Sequence, residues 1–269
     1  MAQPAPVSVI TPVFNGARHI RSCLENVLQQ RVPGLEHIIV DGGSTDGTLE
    51  IVGAFAKAHD YVQLRVHPGQ RQSEAMNDGT EAARGTFVAI LNVDDFFEPG
   101  ALRRALECAS SLRSPGLIVG NCALRDETLR ITKMFRPRRK LSLRALLCGY
   151  MHPINPSSYL YHRALHHAVG GYRADLDYTM DVDFIYRALE AAAEVRRVDE
   201  HWGNMVEHGG SKTVQDREAG RRESRLAELQ AEYLRRFPWW ERGFIMAVQR
   251  GARAKRRLLK RRTTREGRQ

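Results

Sequence analysis

Residues 86–100 read TFVAILNVDDFFEPG. Phe87 to Leu91 is a short apolar run, the pattern of a strand buried on both faces. Two adjacent carboxylates follow, Asp94 and Asp95, and then Phe96, Phe97 and the turn signal Pro99-Gly100. A strand that ends in carboxylates carries them to the carboxyl edge of its sheet, where open α/β folds bind ligands. Two neighbouring acids repel each other. A hard divalent cation, held by one or two carboxylates and by substrate phosphates, relieves that repulsion. Taken alone, the pair reads as an acidic, solvated turn. The segments on either side change that reading.

Upstream, Val7 to Ile10 reads as a buried strand, closed by Thr11-Pro12 and an Asn15-Gly16 turn. Ile20, Leu24, Val27 and Leu28 then repeat at helical spacing over Ala17 to Gln30. HIIVD (37–41) is a second strand, and it runs into the glycine-rich turn Gly42-Gly43-Ser44-Thr45-Asp46-Gly47. A helix follows from about Thr48 to Ala58, then a strand at Val62–Val66 and a helix at Gln72–Arg84. Strands and helices alternating at this spacing predict an α/β fold with a mainly parallel central sheet. Asp41 and Asp94 then share one sheet edge. The glycine-rich turn there lets a ligand approach the backbone. It matches neither GxGxxG nor GxxxxGK[ST], so neither a dinucleotide fingerprint nor a P-loop is present.

Composition excludes other classes. The 269 residues are 42% hydrophobic and 27% charged, as in a soluble globular protein. The formal charge of +10 is concentrated: residues 250–269 hold ten Arg or Lys and one Glu, which leaves +1 for the rest. The body is therefore not a specific nucleic-acid binder, and the tail is an interaction segment. The four cysteines, Cys23, Cys108, Cys122 and Cys148, have neither zinc-ligand nor disulfide spacing. That fits a reducing cytosol. The N-terminus lacks the pattern of a signal peptide, and no apolar run is long enough to span a bilayer.

VSVITPVFNG, HIIVDGGSTDGT and FVAILNVDDFFEPGAL, in this order and spacing, resemble the GT-A glycosyltransferases of family 2, the type found in bacterial exopolysaccharide and cell-surface polysaccharide synthesis. The resemblance is strong over about residues 7–108 and continues more weakly to about 213. It implies a Rossmann-like GT-A domain over 1–213, with a nucleotide-sugar half (7–115) and an acceptor half (116–213). A C-terminal extension of amphipathic helices and basic tail would occupy 214–269. By this resemblance Thr11, Pro12 and Phe14 line the nucleoside pocket, Asp41 accepts a hydrogen bond from the base, and Ser44 and Asp46 lie near it. Asn92-Val93-Asp94 falls on the family's DxD position with Asn as its first member. Ligation of Mg²⁺ or Mn²⁺ then passes to Asp94, with Asp95 either an alternative ligand or a support behind it. Within PGQRQSEAMNDGTEAARG (68–85), Gln72, Ser73 and Asn77 match positions that face the nucleotide-sugar, and Arg71 stands where Gly is usual.

The second half carries weaker signals. MFRPRRKLS (134–142) is basic, HPINPSS (152–158) is a proline-marked loop, and short strands are predicted at Gly116–Gly120, Tyr159–Tyr161 and Val195–Val198. In LDYTMDVDFIYRALEAA (176–192), acids at the head of a helix resemble the family's acceptor-side motif, with Met180 at its usual Glu. Asp181 is the expected catalytic base and Asp183 the alternative. A sugar hydroxyl is a poor nucleophile at neutral pH until a carboxylate takes its proton. WGNMVEHGGSKT (202–213) resembles the family's His-Gly-Gly-Ser-x-Thr, which implies that His208, Ser211 and Lys212 close over the diphosphate or the metal, with His208 a candidate metal ligand.

Residues 216–236 predict an amphipathic helix with Leu226, Leu229 and Tyr233 on one side. Phe237-Pro238-Trp239-Trp240 breaks it, and an apolar start then runs into a basic end, a composition suited to an anionic membrane surface through residues 239–265. These readings imply a metal-dependent, inverting glycosyltransferase, cytoplasmic and peripheral on the inner face of the cell membrane. A UDP-sugar is the expected donor and a saccharide or lipid-linked saccharide the acceptor. A sugar nucleotidyltransferase would need a basic, glycine-rich N-terminal loop for a triphosphate, and residues 7–16 have no Lys or Arg. A non-catalytic nucleotide-sugar-binding module is the other alternative, set against the retained Asp41, Asp94 and Asp181.

Overall fold

The computed structural model describes residues 6–137, 141–149, 155–176, 178–192, 194–210, 214 and 221–251. Its first half alternates as the sequence predicts: β1 (Val7–Val13), α1 (Ala17–Gln29), β2 (Glu36–Asp41), α2 (Thr48–Ala58), β3 (Val62–Val66), α3 (Gln72–Ala82) and β4 (Phe87–Ile90). β1 pairs in parallel with β2 and β4, and β2 with β3. Ile20, Cys23, Leu24 and Val27 form the buried stripe of α1, at the spacing that keeps one helical face on a core. β1 runs past Thr11-Pro12 to Val13. Its register with β4 stops at Ile10↔Ile90, so Pro12, with no N–H to donate, sits where one side of the strand is open.

The second half comprises β5 (Phe96–Phe97), α4 (Ala101–Ala109), β6 (Gly116–Arg125), β7 (Ile131–Phe135), α5 (Leu143–Leu147), a 3-10 turn at Pro156–Ser158, β8 (Tyr159–His162), α6 (Arg163–Val169), α7 (Met180–Ala191), β9 (Glu194–Val206) and α8 (Arg221–Leu234). A C-terminal helix covers 239–251. The strand order is β3-β2-β1-β4-β8-β6-β9-β5, with β7 paired to β6.

The parallel run ends at β4. β8 is antiparallel to both β4 and β6, β5 to β9, and β7 to β6, while β6 and β9 are parallel. A strand buried on both faces is apolar whichever way it runs, so its direction depends on the connection and not on its own residues. β6 and β9 are also longer than predicted. Their register shifts on either side of Asn121, and a Cβ on Gly120 would fall 2.5 Å from the Trp202 ring. That glycine reads as a strand end, but it marks a bulge against an aromatic ring.

One core cluster joins Ile10, Ile38, Met76 and Ile90 to Phe184 and Tyr186 of α7. Leu229, Tyr233 and Ile245 belong to it too, so the helices after residue 220 pack on the body. The other large cluster joins Val7, Val27, Phe87 and Ala89 to Leu102, Ile118 and Trp202.

Candidate active site

The carboxyl ends of β1, β2 and β4 open on a cavity of about 620 Å³. Pro12, Phe14, Gly42, Arg71 and Gln72 line one part, Asn92, Asp94 and Asp95 another, and Tyr178, Met180 and Asp181 a third. The donor-side and acceptor-side motifs of the sequence thus meet in one place, although about ninety residues separate them.

The three polar residues after β4 have different environments. Asn92 Oδ1 accepts from Gln72 Nε2 (3.0 Å), and Asn92 Nδ2 donates to Asp95 Oδ2 (2.8 Å). Asp95 is buried. Its Oδ2 also accepts from Asn155 Nδ2 (2.7 Å), and its Oδ1 accepts from the Val206 N–H (3.1 Å). Burial and the neighbouring charge of Asp94 push the Asp95 carboxyl up to about 8, against the pull of these donors. Both of its oxygens are occupied from within the protein. Asp95 reaches the cavity lining but is buried, and its oxygens are held by Asn92 of its own loop and by Asn155 and Val206 of the second half.

Asp94 is the more exposed of the two adjacent acids that line the cavity. His208 Nε2 lies 3.1 Å from its Oδ2, and the His208 side chain is largely buried. The His19 ring stands 4.9 Å from that of His208. Burial, then the charge of His208, holds His19 below the usual imidazole range, with Asp94 acting in the opposite sense. Ser211 and Lys212 lie outside the described residues. Among the described residues no three His, Cys, Asp or Glu side chains converge as a complete metal cage. Asp94 and His208 offer two ligands, a set that fits a cation whose other positions are filled by phosphate oxygens and water.

The expected nucleoside residues divide. Pro12 and Phe14 line the cavity, and the Phe14 ring is 64% exposed, open to stack on a planar ligand. Asp41 is fully buried behind Gly42 and is not part of the cavity lining. Its Oδ1 accepts from the Gly43 and Ser44 N–H groups (2.8 and 2.6 Å), while its Oδ2 has no partner among the described residues. Thr11 is not brought to the cavity. It is fully buried, with Oγ1 2.9 Å from His37 Nε2, because its side chain leaves the strand toward the core. Ser44 and Asp46 also stand back from the cavity. Ser44 Oγ accepts from the Asn15 N–H (2.7 Å) and Asp46 Oδ2 from the Ala17 N–H (2.9 Å), which fastens the β1–α1 turn. Gln72 does line the cavity. Asn77 instead clasps the backbone of Tyr172, donating to its carbonyl (2.8 Å) and accepting from its N–H (2.7 Å).

The two acids of α7 differ as sharply. Asp181 lines the cavity, in the first turn of α7. Asp183 is fully buried. Its Oδ2 accepts from Arg187 Nε and Nη2 (2.8 and 2.6 Å), and its Oδ1 accepts from the Tyr233 hydroxyl (2.7 Å). Asp183 joins α7 to α8, and Asp181 alone of the pair reaches the cavity.

Asn155, Arg71, Tyr178 and Glu207 also line the cavity and were not singled out as site residues in the sequence. The Asn155 side chain accepts from the Ser157 N–H (2.8 Å) and donates to Asp95. Only the proline-marked loop around it hinted at a special backbone. Arg71 Nη1 donates to the Ala174 carbonyl (3.2 Å), bridging the two halves over the cavity.

A Rossmann-like half that presents acids at its sheet edge, facing a second half with a carboxylate at a helix head, defines a GT-A-type glycosyltransferase. The family model described as Glycosyl transferase family 2 matches residues 8–168, and the chain belongs to that family. The PGL/p-HBAD biosynthesis glycosyltransferase of Mycobacterium tuberculosis is 30% identical over 223 residues, covering 81% of this chain and 83% of that protein. The glycosyltransferase EpsH of Bacillus subtilis is 29% identical over 209 residues, 74% of this chain and 59% of that one. Among solved structures, S. aureus TarS 1–349 in complex with UDP-GlcNAc is similar at TM-score 0.62 and 21% identity, over 77% of this chain and 60% of that chain. The mannosyltransferase PcManGT from Pyrobaculum calidifontis, in complex with GDP-Man and Mn²⁺, is similar at TM-score 0.57 and 20% identity, over 94% and 77%. The chain thus spans about three fifths of the length of EpsH and of TarS 1–349.

Proposed function

We propose that this glycosyltransferase moves a sugar, with inversion, from a nucleoside-diphosphate donor to a hydroxyl of a saccharide acceptor. The acceptor is carried on a lipid at the inner face of the cell membrane, and the product enters a cell-surface polysaccharide. One observation carries the reading: a single cavity is lined by Asp94, which His208 contacts at 3.1 Å, on the donor side and by Asp181 on the acceptor side.

The nucleoside lies over Pro12, against Phe14. Phe14 is the planar contact for the base, and uracil is in keeping with the UDP-GlcNAc bound to TarS. Asp94 and His208 would hold Mg²⁺ or Mn²⁺, which supplies Lewis-acid stabilisation of the departing diphosphate. Arg71, on the same wall, adds a fixed cation for the phosphates. Asp181 accepts the proton of the acceptor hydroxyl as that oxygen attacks the anomeric carbon. The new glycosidic bond forms on the face opposite the breaking bond to the diphosphate. Asp95 and Asn155 take no part in bond making; their hydrogen bond, with that of Asn92 to Asp95, orders the loop that carries Asp94.

Thermal unfolding of the chain with UDP, GDP, dTDP, CMP and ADP, each with and without Mn²⁺, tests this. A ligand that binds only the native state raises its stability. A Mn²⁺-dependent rise with UDP is expected. A rise with GDP in place of UDP would replace the nucleotide, and the absence of any rise would overturn the donor site.

A further inference from the structure

The C-terminal helix, 239–251, has two unlike faces. Its inner face is seated on the body. Glu241 Oε1 pairs with Arg144 Nη1 of α5 at 2.9 Å, Ile245 is fully buried, and Gln249 Nε2 donates to the Leu147 carbonyl at 2.7 Å. Its outer side presents Trp239, Trp240, Phe244 and Met246, which are 78%, 58%, 54% and 43% exposed. A tightly anchored helix that turns two indoles and a phenyl ring to solvent has a partner for them, because such clusters are rare on a free surface. Arg242 and Arg250 lie on the same helix, and residues 251–269 add nine Arg or Lys against one Glu.

From this geometry we infer that the Trp239/Trp240/Phe244/Met246 face is a docking surface for an anionic lipid bilayer. The indole rings sit at headgroup depth and Arg242 and Arg250 of the same helix meet lipid phosphates. Aromatic rings with one apolar side and one polar edge belong at that depth. Arg242 and Arg250, with the basic composition of the sequence after them, supply the second of the two signals that stable attachment needs. A second copy of this chain fits the face poorly, since a two-fold contact would set the same cationic segments against each other. Single-stranded nucleic acid stacks on aromatics lining a basic groove, whereas these project from a helix. The helix packs on α5, and α5 packs on α7, which bears Asp181. The docked face is therefore on the acceptor half, where a lipid-borne substrate arrives. That last point rests on the transfer reaction proposed above; the docking itself does not.

Tryptophan emission of the full chain with vesicles provides the test. Of the three tryptophans, Trp202 is only 2% exposed, so a blue shift reports Trp239 and Trp240. The shift is expected with phosphatidylcholine:phosphatidylglycerol (3:1) vesicles and not with phosphatidylcholine alone. Trp239→Ser/Trp240→Ser should leave the melting temperature unchanged, and it should reduce co-sedimentation with the anionic vesicles by about tenfold or more. Equal binding to both vesicles, or a double variant that binds like the parent, would overturn the inference. So would a blue shift produced without lipid by self-association, or by an oligothymidylate and not by vesicles. Lost vesicle binding with intact nucleotide stabilisation would count against the docking face alone, and the converse against the transferase reading alone.

Discussion

His208 Nε2 lies 3.1 Å from Asp94 Oδ2, although the two residues are 114 positions apart. Through that contact the segment after β9 closes on the acid at the end of β4. Asp94→Asn and His208→Ala should each reduce the Mn²⁺-dependent gain in UDP affinity by at least about tenfold, the lower bound seen when even outer partners of a metal ligand are removed. Calorimetric titration of UDP with and without Mn²⁺ measures this. Variants that respond to Mn²⁺ like the parent would remove both residues from the metal site.

Asp181 and Asp183 should separate cleanly. Asp181→Asn is expected to lower the release of nucleoside diphosphate from donor by about 10²–10⁴-fold, with little change in melting temperature. Asp183→Asn leaves Arg187 without its buried counter-charge, and breaking such a pair costs about 3–5 kcal/mol. Its signature is a lower melting temperature. The reverse pattern would exchange the two roles.

Asn155→Ala should disturb the site through Asp95. It removes the 2.7 Å donor to Asp95 Oδ2 and leaves a buried carboxylate less satisfied, at a cost of about 1–3 kcal/mol. Denaturant unfolding should show the loss, and Mn²⁺-dependent UDP binding should weaken with it. Unchanged stability would mean that Asp95 does not depend on this brace.

His37 and His166 should make the protein acid-sensitive. Burial holds His37 down to about 3 and, with the charges of His167 and Arg187, holds His166 down to about 4. Below about pH 6.5 the unfolded chain takes up a proton on each that the folded chain refuses. Stability therefore rises with pH across this window and is lost as pH falls, by about 1.4 kcal/mol per pH unit for each histidine. Asp95, shifted upward, acts in the opposite sense, so the comparison with a variant carries the result. His166→Phe, set among Tyr161, Tyr172 and Phe184, should reduce the slope between pH 6 and 5 by about 1.4 kcal/mol per unit. An unchanged slope would mean that His166 is protonated in the fold.

Gly203→Ala should be poorly tolerated. A Cβ there would fall 2.6 Å from the backbone carbonyl of Ser157, and backbone cannot swing aside as a side chain does. A loss of about 1–3 kcal/mol in chemical denaturation is expected. A neutral substitution would mean that the 3-10 turn at Pro156–Ser158 moves freely against β9.

The sequence by itself determined the first half of the fold, from β1 to β4, and the order of its motifs. Those elements are local: each strand is a short apolar run, each helix repeats at 3.6, and each connection is a Gly- or Pro-marked turn. It also placed Asp94 and Asp181 as the acids to watch, through motifs that survive as short contiguous words. The tertiary structure decided what a contiguous word cannot carry. Both halves of the chain resolve the acid pairs, Asp94 from Asp95 and Asp181 from Asp183, because burial and partners come from distant segments: Asn155 and Val206 in the first case, Tyr233 in the second. Thr11 and Asn77 match positions expected at the nucleotide, but their polar groups bind inside the protein, to His37 and to the Tyr172 backbone. The antiparallel course of β8 was hidden for a related reason: pairing direction belongs to the connection between strands, and an apolar run looks the same from either end.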